Sequence, residues 1–388
     1  MRMNRLNIAL FSDAYPPIMD GVAMTVRNYA YWLNKTRHLS LVITPKFPGY
    51  ADQDEFPVLR YLSAPIPMRE PYRMGLPELD YRINHRLKEI PLQLVHAHSP
   101  FSAGALAYRT ARHNHIPFVA TFHSKYKDDF GRLMNQKAIL NGIVKKIVSF
   151  YESADEVWIP QAHVEETIRE YGFRGRVEIV ENGIDIETGG DISGFRLNSR
   201  KMLGIPAGRK VFLYVGQLIL EKNLRFLLES LKPLAGEDFI MYFVGQGYAR
   251  PVLEKLADAY GLSAMVKFTG PIYDRGEMKR FYALADLFLF PSLYDNAPLV
   301  VREAAALHTP ALLLEGSTAA EVIRDGYNGF LALNDPQHYG NKVKMLMSRP
   351  DLLAQAGTNA SATLCRSWRE VVEEVNDRYL HLLRRKMN

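Results

Sequence analysis

The sequence predicts an α/β protein with two doubly wound parallel-sheet domains, and three observations lead to this fold class. Short apolar runs alternate with longer segments of helical periodicity along most of the chain. The runs are continuously hydrophobic, as strands buried on both faces are. The length of 388 residues suits two domains rather than one. The predicted strands fall at residues 7–11, 39–44, 94–98, 117–122, 155–160 and 177–180 in the first half, and at 211–215, 239–244, 266–272, 287–290 and 311–314 in the second.

Composition and charge narrow the function classes. The single cysteine, Cys365, excludes an intrachain disulfide and favours a reducing cytoplasm. No apolar run approaches the ~20 residues that span a bilayer, and the first residues lack the apolar region of a signal peptide. A net charge of +6 favours anionic partners such as nucleotide phosphates or a phospholipid surface. Nucleic acid is disfavoured, because the basic residues are spread along the chain without an aromatic-basic platform.

The first predicted strand leads into a polar turn that contains Asp13 and Tyr15 and ends at Asp20-Gly21, where a helix begins. A glycine at that junction lets backbone N–H groups approach a phosphate or a sugar closely. The spacing is neither G-x-G-x-x-G nor that of a P-loop, so ordinary dinucleotide and P-loop sites are disfavoured. A plain turn residue is the alternative interpretation of Gly21.

Histidines mark the ends of two later strands. His96 and His98 alternate along residues 94–98 and should face opposite sides of the sheet, which excludes a paired metal site. We expect His96 in the core and His98 at a ligand-facing position. The next strand ends on His123-Ser124-Lys125-Tyr126, and active residues of parallel sheets lie at such strand ends.

The stretch 285–330 carries the strongest functional signal of the second half. A strand ends at Pro291, a polar turn follows, and a helix is predicted to start near Ala297 or Pro298. Asp295 lies in the turn and Glu303 lies eight positions later, on the helix. A helix N-terminus favours a phosphate, and carboxylates on either side of it can accept hydrogen bonds from sugar hydroxyls. The spacing therefore indicates a sugar nucleotide, although Asp295 as a plain helix cap and Glu303 as a solvated acid remain the alternative.

This stretch resembles the nucleotide-sugar site of retaining glycosyltransferases of family 4, which have two Rossmann-like domains facing a central cleft (the GT-B fold). The residues that fall in register are Glu303, Ala304, Ala305, Ala306, Pro310, Glu321, Asp325, Gly326, Asn328, Gly329 and Phe330. The resemblance implies an N-terminal acceptor domain over residues 1–190, joined by a final helix at 368–388, and a donor domain over 200–367. The polar segment 188–200 is a candidate linker.

The resemblance also implies roles for individual residues. The implied catalytic residues are His123, between donor sugar and acceptor, Lys222 on the diphosphate and Asp295 on the hexose, while Glu303 holds the ribose. The donor-binding set is Gly21, Gly216, Gln217, Lys222, Gly245, Pro271, Ile272, Asp295, Asn296, Ala297, Pro298, Leu299 and Glu303. The acceptor-binding set is Asp13, Tyr15, His98, Ser124 and Tyr126. No metal and no cofactor is expected besides the nucleotide-sugar co-substrate.

Three positions depart from the family pattern. Asp295 replaces a glutamate, Gln217 replaces an arginine, and a single Gly21 stands where two adjacent glycines are usual. Glutamine donates hydrogen bonds without charge, and a charge-assisted bond is roughly twice as strong as a neutral one. We therefore keep open a sugar-nucleotide or glycan-binding protein that has lost turnover.

Two segments look membrane-facing. Residues 66–74 mix prolines, basic and apolar side chains in an expected loop, and residues 138–151 combine an apolar stripe with Lys145 and Lys146. Residues 58–100 and the sequence His123-Ser124-Lys125-Tyr126 resemble bacterial diacylglycerol glucosyltransferases, which implies UDP-glucose as donor, a lipid hydroxyl as acceptor and peripheral contact with the inner face of the membrane. Alternatively, the stripe packs on the sheet beneath it. A soluble or cell-surface glycan as acceptor, and a sugar-nucleotide epimerase of the same architecture, also stay open.

Overall fold

The computed structural model describes residues 5–18, 20–36, 38–66, 71–123, 125–131, 136–186, 190–293 and 295–387. The chain divides into two compact units. Unit 1 comprises residues 1–183 and 368–388, and unit 2 comprises residues 184–367.

Unit 1 is built on a seven-stranded parallel sheet. In chain order its elements are β1 (Asn7–Phe11), α1 (Gly21–Lys35), β2 (Leu39–Pro45), β3 (Val58–Tyr61), β4 (Ser63–Pro65), β5 (Arg73–Gly75), α2 (Tyr81–Glu89), β6 (Leu94–Ala97), α3 (Ser102–Asn114), β7 (Phe118–Thr121), α4 (Tyr126–Gly131), α5 (Lys137–Glu152), β8 (Glu156–Ile159), α6 (Val164–Glu170) and β9 (Val177–Ile179). The strand order is β3-β2-β1-β6-β7-β8-β9, and β4 and β5 form a separate antiparallel hairpin.

Unit 2 has a six-stranded parallel sheet with the order β12-β11-β10-β13-β14-β15. Its elements are α7 (Ile192–Met202), β10 (Lys210–Val215), α8 (Leu224–Leu231), β11 (Phe239–Val244), α9 (Arg250–Ala259), β12 (Val266–Gly270), α10 (Arg275–Leu284), β13 (Leu287–Phe290), α11 (Leu299–Ala306), β14 (Ala311–Leu314), β15 (Phe330–Ala332), α12 (Pro336–Met347) and α13 (Pro350–Leu364). The chain then returns to unit 1 as α14 (Trp368–Met387).

The apolar runs of the sequence are the central strands of both sheets, which confirms the predicted α/β class. The strands β1, β6 and β7 are almost wholly buried, as are β11, β13 and β14. Burial on both faces explains their lack of alternation. In each sheet the strand order reverses beside the first strand, between β1 and β6 in unit 1 and between β10 and β13 in unit 2. Ligands of doubly wound sheets bind outside the carboxyl ends of strands at such switch points.

Several local predictions need correction. Helix α7 (Ile192–Met202) covers most of the predicted linker 188–200, and its Ile192 and Phe195 pack on the core of unit 2. The helix predicted from Ala297 or Pro298 begins at Leu299. In the segment 66–74, expected in a loop, Arg73 and Met74 belong to strand β5, while residues 67–70 lie outside the described part of the chain.

Most of the apolar stripe of α5 packs inside unit 1 rather than facing outward, although Ile139 in its first turn is 49% exposed. Val144, Ile147 and Val148 are buried, and Leu140 and Ile143 pack against the same core. The prediction that this stripe faces a membrane is therefore wrong. A stripe that covers a sheet and one that lies in a lipid interface have the same helical spacing, so the pattern alone did not separate them.

Candidate active site

The switch point of unit 2 brings Lys222 and Asp295 into contact. Lys222 ends a short 3₁₀ turn after β10, and Asp295 follows β13. Asn223 adopts the left-handed conformation (φ 59°) and donates from Nδ2 to the carbonyl of Pro291 at 3.3 Å, which ties the two loops together. Lys222 Nζ then lies 2.5 Å from Asp295 Oδ1, and both side chains are less than a fifth exposed.

Only one of the two carboxylate oxygens of Asp295 has a hydrogen-bond partner within the described residues. Its Oδ1 accepts from Lys222, but its Oδ2 is buried and has no hydrogen-bond partner within the described residues. Leaving a buried polar atom unpaired costs free energy, so this oxygen is suited to accept a bond from a ligand. The N-cap of α11 is Pro298, so Asp295 is not the plain helix cap of the alternative interpretation.

Two turns that each contain a glycine with positive φ come into close contact at the carboxyl ends of β10 and β11. Gly216 (φ 152°) follows β10 and Gly245 (φ 140°) follows β11. A Cβ added to Gly245 would lie 1.9 Å from the carbonyl oxygen of Gly216. The backbones of the two loops pair directly, since Leu218 N donates to Gln246 O at 2.9 Å. Only glycine permits this approach, which keeps the loop that carries Gln217 close to the sheet edge.

Glu303 lies on α11 and is held by two donors. Tyr282 donates from its hydroxyl to Glu303 Oε2 at 2.7 Å, and Arg275 Nη1 lies 3.2 Å from Oε1. Arg275 Nη2 also contacts Asp185 Oδ2 at 3.3 Å. The side chain of Glu303 is 13% exposed, so it is not the solvated helix acid of the alternative interpretation. Arg275, Tyr282 and Asp185 were missed, because no local spacing links positions that lie far apart in sequence.

The remaining residues of the predicted donor-binding set lie after strands of unit 2. Pro271 and Ile272 come directly after β12, and Leu299 is the first residue of α11. The segment Asn296, Ala297 and Pro298 joins β13 to α11, with Asn296 buried. Their contact with a donor stays a prediction.

In unit 1, the carboxylate of Asp13 accepts hydrogen bonds from neighbouring residues of the protein. Its Oδ2 accepts from Ser99 Oγ at 2.6 Å, and its Oδ1 accepts from Ala103 N at 3.0 Å and from the Ser102 hydroxyl. Burial raises the pKa of Asp13, and these hydrogen bonds oppose that rise. The carboxylate thus joins the end of β1 to the N-terminus of α3, a structural role that leaves little capacity for an acceptor.

Tyr15 is likewise engaged within unit 1. It is 2% exposed and donates from its hydroxyl to Asp54 Oδ2 at 2.8 Å. Arg27 also binds Asp54, and Arg60 binds Asp52. Arg27 and Arg60 thus pair with the carboxylates of Asp54 and Asp52, and Tyr15 is buried beside these ion pairs.

His96, His98 and His123 form a row. The His96 and His98 rings lie 4.1 Å apart, and the His98 and His123 rings stack at 5.3 Å. The prediction that His96 and His98 face opposite sides is wrong, because residues two positions apart along an extended chain lie on the same face. His96 is a core residue as predicted, bonded to Tyr379 and Thr121.

His98 supports His123. Their Nδ1 and Nε2 atoms lie 3.0 Å apart, while His98 Nε2 is buried without a hydrogen-bond partner in the described structure. Buried unpaired N–H groups are rarer than unpaired acceptors, which favours the tautomer in which His98 donates to His123. His123 then carries its proton on Nδ1.

We expect the buried imidazole of His123 to make stability pH-dependent. Burial lowers the pKa of His123 from 6.5 to about 3. The unfolded state therefore binds more protons between these values, so stability falls as the pH falls from about 6.5 towards 3. Denaturant unfolding of the wild type and of His123→Gln across this window should give slopes that differ by about 1.4 kcal/mol per pH unit. Parallel stability curves would contradict the assignment.

Tyr126, Ser124 and Gly21 are the remaining unit 1 residues that were predicted to bind donor or acceptor. Tyr126 is 4% exposed and packs in the core with its hydroxyl 3.3 Å from that of Tyr151, so burial speaks against acceptor binding. Ser124 lies outside the described residues. Gly21 opens α1 after its N-cap Asp20, and a Cβ added there would meet nothing within 4 Å. Packing alone therefore does not require a glycine at position 21.

Among the described residues, no group of three or more His, Cys, Asp or Glu side chains could hold a metal ion. No helix in the same ranges is long and apolar enough to span a membrane.

Comparison with known families matches both halves of the chain. A family model described as Glycosyltransferase Family 4 matches residues 19–188, and one described as Glycosyl transferases group 1 matches residues 195–363. The first match falls mostly in unit 1 and the second falls in unit 2.

Individual proteins are similar over most of their length. The alpha-monoglucosyldiacylglycerol synthase of Streptococcus pneumoniae is 26% identical, covering 89% of this chain and 80% of that protein. The enzyme of the same name from Acholeplasma laidlawii is 25% identical over 92% of both chains. The crystal structure of HepE from Anabaena in complex with UDP-glucose has a TM-score of 0.76 at 19% identity, covering 98% of this chain and 99% of that one. This likeness shows the GT-B fold.

Proposed function

This chain belongs to the family 4 glycosyltransferases of GT-B fold, and we propose that it transfers a hexose, with glucose as the expected sugar, from a UDP-sugar to an acceptor hydroxyl. The observation that carries the proposal is the contact between Lys222 and Asp295 at the switch point of unit 2, where Asp295 Oδ2 lacks a partner. The Lys222 ammonium, which can bind a diphosphate, thus lies beside Asp295 Oδ2, which can accept a hydrogen bond from a sugar hydroxyl. The UDP-glucose complex of HepE supports the choice of donor.

Lys222 would stabilise the leaving diphosphate. Its ammonium carries a positive charge and contacts Asp295. That charge would lie beside the phosphate oxygens, on which negative charge develops as the sugar departs. Asp295 keeps the ammonium in place and offers Oδ2 to the hexose.

The proposed reaction retains the configuration of the sugar and needs no metal. The bond between the anomeric carbon and the diphosphate oxygen breaks, and the acceptor oxygen bonds to the same carbon on the same face. The acceptor proton passes to the leaving phosphate oxygen, so no separate base is required. His123, kept neutral by burial, would hydrogen-bond a sugar hydroxyl.

A lipid is the proposed acceptor, and the structure offers a new candidate for the membrane surface. Around the β4–β5 hairpin, Leu62, Met74, Leu79 and Tyr81 are 46%, 53%, 72% and 78% exposed, and we call these residues the hairpin patch. Leu62 N donates to the carboxylate of Asp80, which also caps α2. Helix α2 begins at Tyr81 of this patch and carries three exposed basic side chains: Arg82, Arg86 and Lys88. Apolar side chains beside basic ones suit an anionic lipid interface.

A donor-by-acceptor panel tests this function. UDP release from UDP-glucose would be measured with diacylglycerol in anionic liposomes, with soluble sugars, and with donor alone, each with and without a chelator. We expect lipid-dependent release that survives chelation, and NMR of the product should show retained configuration. Saturable UDP-glucose binding without release under any condition would instead identify a binding protein. Activity on a soluble sugar without liposomes would remove the lipid acceptor, and sugar interconversion with donor alone would indicate an epimerase.

A further inference from the structure

The loop that follows β10 turns three successive backbone carbonyl groups toward other parts of unit 2. The carbonyl oxygen of Gly216 lies 1.9 Å from where a Cβ of Gly245 would be. The carbonyl of Gln217 accepts from the Tyr214 hydroxyl at 3.1 Å. The carbonyl of Leu218 accepts from the backbone N–H at the N-cap of α9 at 2.9 Å. An anion beside this loop would therefore not face the negative ends of these peptide dipoles.

The backbone N–H groups of the same loop are not all used in this way. Gly216 N donates to Val244 O at 3.0 Å, and Leu218 N donates to Gln246 O at 2.9 Å. Between them, the N–H of Gln217 has no hydrogen-bond partner among the described residues. A backbone donor without a partner in the protein is available to a ligand.

The direction of the Gln217 N–H follows from the geometry of the peptide that joins it to Gly216. This peptide is trans, so its N–H points away from its carbonyl group. The carbonyl points to the turn after β11, and β10 lies between β11 and β13 in the sheet. The N–H is therefore directed to the β13 side of the loop, where Lys222 contacts Asp295.

Tyr214 fixes the peptide on the other side of Gln217. Its side chain is 0% exposed, and its ring stacks on Phe290 with the ring centroids 6.1 Å apart. Burial and the nearby Asp295 charge raise the pKa of Tyr214 well above its ordinary value, so the phenol stays protonated and donates. The carbonyl of Gln217 cannot turn toward the β13 side without losing this hydrogen bond.

Gln217 thus lies between two fixed peptide groups, one held against Gly245 and one held by Tyr214. We propose that Tyr214 is a positioning residue that presents the backbone N–H of Gln217 to the donor diphosphate, so that the backbone makes this contact and the side chain at position 217 does not. Such a preorganised donor needs no rearrangement as negative charge develops on the leaving group. The inference rests on the proposed function, because it needs a nucleotide donor in unit 2.

The test is the ratio of the uridine and UDP dissociation constants, measured by calorimetry on the full chain, because this ratio isolates the contribution of the diphosphate. Tyr214→Phe removes only the hydroxyl and should lower the ratio by roughly threefold or more. The released carbonyl can then turn toward the anion, and the N–H loses its orientation. Gln217→Ala keeps the backbone N–H and should leave the ratio within about twofold of the wild type.

Tyr339→Phe is the matched control. Tyr339 is also 0% exposed and donates from its hydroxyl to a backbone carbonyl, that of Leu312, at 3.0 Å. We expect Tyr339→Phe and Tyr214→Phe to lower the thermal stability to a similar extent, because each leaves one buried carbonyl without its partner. Only Tyr214→Phe should change the ratio of dissociation constants.

NMR observes the amide itself. In protein labelled with ¹⁵N-glutamine, the backbone signal that disappears in Gln217→Ala identifies Gln217, and its amide proton should shift downfield with UDP and much less with uridine. An amide that does not respond to UDP, or equal ratios in Tyr214→Phe and Tyr339→Phe, would overturn the inference and leave the proposed function standing. A ratio that falls as far in Gln217→Ala as in Tyr214→Phe would assign the contact to the side chain and also overturn it. Failure of the wild type to bind UDP at all would overturn the proposed function together with the inference.

Discussion

Replacing Lys222 with methionine is expected to lower the turnover of sugar transfer by roughly 100- to 1,000-fold. Methionine keeps much of the length of the side chain but removes the charge that faces the departing diphosphate. The loss should appear mainly in kcat, because charge on the leaving group develops only as the bond breaks. Steady-state kinetics with saturating UDP-glucose would measure it.

The control for this substitution is Lys255→Met on α9, which removes the same charge at an exposed position and should leave turnover unchanged. The substitution also leaves Asp295 without its cation, so unfolding must be measured separately. The double variant Lys222→Met with Asp295→Asn should recover stability but not turnover. A Lys222→Met enzyme within about threefold of wild-type kcat would refute the role of Lys222 on the diphosphate.

Replacing Gly245 with alanine is expected to destabilise unit 2 by about 3 kcal/mol or more and to abolish donor binding. The new Cβ would lie 1.9 Å from the Gly216 carbonyl oxygen, and the φ of 140° is unfavourable for any side chain. Because the clash is between backbone atoms and a Cβ, no side-chain rotation relieves it. The loop that carries Gln217 and leads to Lys222 should move away from the sheet edge.

Gly236→Ala is the comparison variant, since its Cβ would meet nothing within 4 Å and its φ is not positive. We expect its free energy of unfolding to stay within about 0.5 kcal/mol of the wild type. Denaturant unfolding, followed with and without UDP, measures both variants. If Gly245→Ala is as stable as Gly236→Ala, the close contact of the two turns is not required for the fold.

The sequence predicted those features that depend on local hydrophobicity and on the order of elements. Continuous apolar runs identified the central strands, because strands buried on both faces do not alternate. The polar turn after residues 287–290 placed Asp295 at the carboxyl edge of a sheet, and the resemblance to family 4 singled out Lys222; the structure brings these two side chains together.

Features that depend on long-range contacts were not predictable. The placement of His98 opposite His96 was a wrong application of strand alternation, because residues two positions apart share a face and the two rings meet. Asp13 and Tyr15 looked available in a polar turn, yet their partners come from distant segments. Arg275 has no motif of its own, and its position relative to Glu303 follows only from the packing of α10 beside α11.

The return of the chain to unit 1 has a consequence for biosynthesis. Unit 1 needs α14, whose Tyr379 binds His96 and stacks on Trp158, but that helix is synthesised after the whole of unit 2. On the ribosome, residues 184–367 emerge as one uninterrupted stretch and can fold first, while the earlier sheet still lacks a buried part of its core. The segment made first is therefore finished last, and nascent chains that stop before Trp368 would present an incomplete N-terminal unit to chaperones and proteases.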